Sequence, residues 1–162
     1  MIGPACVLAF LVVFASCTGG GKMQADPPVS VAIWDLQALG PMDATQAAMG
    51  ELLGGQITER FEQASGYLPV ERSRLLSVME ELNIGSSDLA ASQTRLRLGR
   101  LVGARQMVFG AYQVVAEIMR IDIRLVDVAS GRILKAGVGT AAADSPGQWL
   151  GAADQAADEL FR

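Results

Sequence analysis

The chain predicts an α+β fold: a mixed β-sheet with a C-terminal three-stranded antiparallel meander, helices packed on its buried face, in the order β-α-β-α-α-β-β-β-α. Two patterns predict it. Met119, Ile121, Ile123 and Leu125 alternate with Arg120, Asp122 and Arg124, the period-2 pattern of a long half-buried strand. Met49, Leu53, Ile57 and Phe61 recur every four residues, the stripe of an amphipathic helix.

The elements follow in order. Val29 to Trp34 is a short apolar run between Pro28 and the turn residues Gly40 and Pro41, and predicts a buried strand. Asp43 with Gln46 forms a capping-box pair that opens one helix, with Leu52 widening its stripe and Gly66 ending it. Gly54 and Gly55 cost this helix about 1 kcal/mol each against Ala, so either close packing uses them or the helix bends there. Tyr67 to Val70 predicts a second strand, and Ser73 to Leu82 a helix with Leu75, Val78, Met79 and Leu82 on one side, stopped by Asn83 and Gly85. Ser86 or Ser87 can cap the next helical stretch, which runs to about Val102 with Leu98, Leu101 and Val102 inward.

Met107 to Val115 is apolar apart from Gln113 and precedes a tight turn into the alternating strand. Ser130 and Gly131 turn the chain again, and Ile133 to Thr140 returns with Leu134, Ala136 and Val138 sharing a face. Ser145, Pro146 and Gln148 combine a capping-box pair with Pro at the first helical position, ahead of a stripe of Trp149, Ala153, Ala156 and Leu160. Arg120, Asp122 and Arg124 then point away from the core.

The amino terminus carries a different signal. Val7 to Phe14 is apolar and leads through Ala15 and Ser16 to Cys17, an arrangement that resembles a bacterial lipobox, with Phe14 where Leu is usual. The run is shorter than the roughly 20 residues a membrane span needs, so residues 1–16 read as a removable lipoprotein signal peptide. Cys17 becomes the lipidation site, and two or more acyl chains give stable anchoring. Thr18 rather than Asp follows, which in lipoproteins points to the periplasmic face of the outer membrane. Residues 17–28 hold Gly19, Gly20, Gly21, Pro27 and Pro28 and form a flexible tether, leaving 29–162 as one domain.

Composition narrows the chemistry. The net charge of −4 gives no drive toward nucleic acid. Histidine is absent, which removes the commonest general base and neutral metal ligand, so neither catalytic residues, a metal site nor a cofactor is expected. Cys6 leaves with the signal and Cys17 is acylated, which precludes a disulfide. Asp35, Glu71, Asp122 and Asp127 lie on or beside strands, and no spacing converges them on a cleft. Arg95, Arg97 and Arg100 form a candidate interaction patch for lipid phosphates or an acidic partner, weighed against an ordinary solvated helix face.

Several blocks carry a family resemblance: Val70-Glu71-Arg72 with Leu75-Leu76 and Glu80-Glu81, Leu101 to Ala104, Met107 to Gly110, Ile123 to Asp127, and Ser130 to Ile133. They resemble the CsgG-like family of bacterial envelope lipoproteins, over roughly residues 29–143. The resemblance implies a non-enzymatic interaction module anchored by lipid in the envelope, serving secretion or assembly of a surface appendage. The alternative it offers is a regulator that docks on a periplasmic enzyme such as a peptidoglycan synthase, in the manner of LpoB. The family includes rings and strand edges invite pairing, which leaves open whether the chain is a homo-oligomer. The curli secretion channel adds membrane-spanning hairpins with strands of about 9–11 residues, and no segment here has room for them.

Overall fold

The computed structural model describes residues 27–85 and 91–162. The signal peptide, Cys17, most of the tether, and the caps expected at Ser86 or Ser87 fall outside these residues. The elements are β1 (Val29–Ile33), β2 (Gln37–Leu39), α1 (Ala44–Ala47), α2 (Gly50–Gln63), β3 (Tyr67–Pro69), α3 (Arg72–Glu81), α4 (Ser92–Leu101), β4 (Gln106–Val115), β5 (Ile118–Asp127), β6 (Ile133–Ala142) and α5 (Pro146–Glu159). They build one mixed sheet of order β3-β1-β4-β5-β6, with β2 also pairing β4. β1 is parallel to β3 and β4, whereas β4, β5 and β6 form the expected antiparallel meander.

The α+β class and strand–helix order hold, with differences that have local causes. β2 was not expected: Gln37–Leu39 runs parallel beside Ala111–Gln113, extending the line of β1 past a break at Trp34–Leu36. The single helix expected from Asp43 is two. The Asp43–Gln46 capping box forms, but α1 ends at Ala47 and α2 begins at Gly50. At that break the Tyr112 hydroxyl donates to the Gln46 and Ala47 carbonyls (2.7 and 3.0 Å), and the Leu36 amide donates to Gly50 O. A Cβ on Gly50 would overlap the Leu36 carbonyl, so a glycine lets strand backbone reach the helix start.

Helices also cover both faces of the sheet, not one. α2 and α5 bury Val31, Ile33, Val108, Ile121, Ile123 and Leu125 with their own Leu53, Ile57, Phe61, Trp149 and Ala153. On the opposite face α3 and α4 bury Ala32, Trp34 and Met107 with Leu75, Leu98 and Val102. Both parities of β1 are therefore apolar from Val31 on, which is why Val31–Trp34 is an unbroken apolar run where β5 alternates. α4 reaches only the Met107 end of β4. Beyond it the face bearing Arg120, Asp122 and Arg124 stays open, as the alternation predicts.

Three apolar expectations fail. Leu52, Leu82 and Leu101 stand exposed: Leu52 (51%) and Leu101 (50%) lie off the stripes their helices bury, and Leu82 is the C-cap residue beyond the last turn of α3. Leu134, Ala136 and Val138 do share a face, the open one. The buried face of β6 holds Gly137 and Gly139, where a Cβ would overlap the Ala156 and Ala152 carbonyls of α5. Strand glycines facing helix alanines thus bring α5 close to the sheet backbone. The Ser145 capping box is absent: Ser145 Oγ lies 3.0 Å from Asp144 Oδ1, and the Gln148 amide donates to the Ser145 carbonyl at 2.8 Å. Pro146 at the helix start spares one amide instead.

Candidate interaction surfaces

α4 carries the three arginines singled out in the sequence, and the fold separates them. Arg95 turns onto the sheet, its guanidinium carbon 4.1 Å from the centroid of the Phe109 ring. Burial and then the nearby Arg124 charge lower its pKa. Its Nε is buried without a hydrogen-bond partner, and its Nη2 donates weakly to Ser92 Oγ at 3.4 Å. Arg97 and Arg100 are exposed, and Arg100 also donates to the Val128 carbonyl at 3.3 Å. From Ala91 to Val115 the chain holds four arginines, Arg95, Arg97, Arg100 and Arg105, and no carboxylate.

The four strand-associated carboxylates are not brought together. Asp122 accepts two hydrogen bonds from Arg120 (2.8 and 2.7 Å) on the open sheet face, and this partner lowers its pKa. Asp127 is held low by Ser130, whose hydroxyl and amide both donate to it and shape the β5–β6 turn. Glu71 precedes α3 without capping it. Asp35, just past β1, pairs with Arg72 through both carboxylate oxygens. Among the described residues no group of three His, Cys, Asp or Glu is placed to hold a metal, and no helix is long and apolar enough to cross a membrane.

The Asp35–Arg72 pair borders a feature that sequence reasoning missed. A groove of about 680 Å³ runs along α2 beside the ends of β1 and β3. The glycine pair in α2 was its one legible trace, and the two glycines turn out to differ. Gly54 serves close packing, since a Cβ would sit 3.1 Å from Asp35 Cα and 3.2 Å from the Trp34 carbonyl. A Cβ on Gly55 would meet nothing within 4 Å, and this residue lines the groove. Arg72 also approaches Glu51 at 3.4 Å.

These surfaces define a sheet-and-helix domain whose polar features are exposed patches and a groove. A model of the family described as curli production assembly/transport component CsgG matches residues 41–116. The match includes the Val70–Arg72, Leu101–Ala104 and Met107–Gly110 blocks, while the blocks on β5 and its turn lie beyond it. Among solved structures, the fold is similar to the LpoB C-terminal domain from Salmonella enterica, with TM-score 0.54 and 15% identity over 71% of this chain and 82% of that one. It is likewise similar to lipoprotein GNA1162 from Neisseria meningitidis, with TM-score 0.58 and 14% identity over 71% and 81%. At these identities the likeness is one of fold. No curated protein matches the sequence. Over residues 41–116 the chain is thus similar to the CsgG family.

Proposed function

We propose that the protein is a non-enzymatic lipoprotein of the outer membrane, held at its periplasmic face through acylated Cys17, that binds envelope proteins during secretion or assembly of a surface structure. The CsgG match over residues 41–116 carries this reading. The lipobox-like run before Cys17 and the dispersal of the carboxylates onto local partners support it. Arg97 and Arg100, exposed on α4 within the carboxylate-free stretch from Ala91 to Val115, are the proposed contact patch for an acidic partner or lipid phosphates.

Affinity purification of the full lipidated chain in mild detergent tests the role. Recovery of secretion or appendage components, reduced by Arg97→Glu with Arg100→Glu, is the expected result. Recovery of a peptidoglycan synthase instead would favour the regulator reading, and recovery of no envelope protein would contradict both.

A further inference from the structure

Gly55 sits in the interior of α2, where glycine weakens a helix, yet no neighbour requires the missing side chain. Its position relative to the acidic residues is informative. Glu51, Gly55 and Glu59 follow at intervals of four, so they lie on one stripe of α2, and all three line the groove with Glu62. The glycine is a notch between two carboxylates. Arg72 is the cation among the groove's described lining residues, and it is engaged by Asp35 and Glu51. The groove thus keeps a negative surplus. Leu52, half exposed, adds an apolar wall along which an aliphatic stem can lie. About 680 Å³ is room for several side chains rather than one bare ion.

We propose that this groove receives an extended basic segment of a protein partner, one lysine or arginine of which lies over Gly55 between Glu51 and Glu59. The inference rests on the reading of the protein as an interaction module and names the chemistry of what it binds. Charge complementarity selects the cationic head, and the exposed Leu52 selects a chain with aliphatic stems over a compact inorganic ion.

The test uses the full chain in detergent and a fluorescent decapeptide alternating lysine and valine, with a glutamate–valine peptide as its counterpart, read by fluorescence anisotropy. The basic peptide is expected to bind and the acidic one not. Gly55→Leu should weaken binding tenfold or more while the protein melts no lower than wild type, because helix propensity improves and a Cβ at this exposed position meets no neighbour. Glu59→Gln should weaken it several-fold and flatten its salt dependence, whereas Gly151→Leu, at an equally open glycine of α5, should leave it unchanged. Equal binding of both peptides, no binding, or binding indifferent to Gly55→Leu and Glu59→Gln overturns the proposal. If Gly55→Leu recovers the same envelope partners as wild type, the groove assignment fails and the module reading stands. If the peptide binds through the notch but no envelope protein is recovered, the groove stands and the module reading fails.

Discussion

Glycine has opposite meanings at two kinds of residue position in this fold. At Gly139 a methyl group would run into the Ala152 carbonyl of α5, which is helix backbone and cannot rotate away. Gly139→Ala should therefore cost about 3 kcal/mol or more, seen as a lowered urea midpoint. Gly55→Ala should raise stability by about 0.5–1 kcal/mol in the same measurement. The two substitutions are identical in composition, so opposite signs would show that packing and not propensity decides. Sequence alone showed Gly54 and Gly55 as an anomaly in a helix. It could not divide them into one that packs and one that is open, because that depends on where Asp35 and Trp34 arrive from another element. Asp122 supplies the pH dependence at this scale. Arg120 holds its pKa down, so its contribution is present above the ordinary carboxylate value near 4 and is lost as pH falls through the lowered one. Because both partners are substantially exposed, we expect less than about 1 kcal/mol, visible as a shallow loss of stability below about pH 4 that Asp122→Asn removes.

Among elements, the β4–β5 hairpin turns through Ala116 and Glu117, both with positive φ (49° and 63°). A two-residue turn with this geometry favours Asn-Gly, and non-glycine residues pay about 1–2 kcal/mol each for the left-handed conformation. Ala116→Asn with Glu117→Gly should raise the thermal midpoint, worth about 1–2 kcal/mol, and no change would mean the hairpin is not strained. The strict alternation of β5 and the long stripe of α5 were fully legible, because each element buries a single face and its period reports that face directly. β2 and the α1–α2 break were not. A three-residue strand has no period to detect, and the break is imposed by Tyr112, which reaches the Gln46 and Ala47 carbonyls from β4, some 65 residues away. Both apolar parities of β1 were visible in Val31 to Trp34, and with them the need for helices on two faces. The alternation of β5 reports a single covered face because α3 and α4 cover β1 and the start of β4 and leave β5 open on that side.

For the whole molecule, charge divides by side. α5 carries Asp154, Asp158 and Glu159 without a basic residue, and α2 adds Glu51, Glu59 and Glu62, whereas α4 and β4 are free of acids. Arg60 stitches the acidic helices together, pairing with Asp158 and approaching Asp154 at 3.8 Å. Partner binding at either side should therefore weaken steeply with ionic strength. The turn of two residues between β4 and β5 leaves no inserted hairpin there, and we expect the purified protein to give no conductance in planar bilayers. The resemblance to the CsgG family was legible in the Val70–Arg72, Leu101–Ala104 and Met107–Gly110 blocks, which fall within the matched residues 41–116. The interaction surfaces were less legible: an arginine triplet on α4 looks like one patch until the helix phase places Arg95 on Phe109 and the other two on the outside. The central claim is that this domain acts from a lipid anchor, and mass spectrometry of the amino terminus of protein isolated from the cell envelope tests it most directly. The account predicts a chain that begins at an acylated Cys17, without residues 1–16; an intact Met1 on soluble cytoplasmic protein would contradict it.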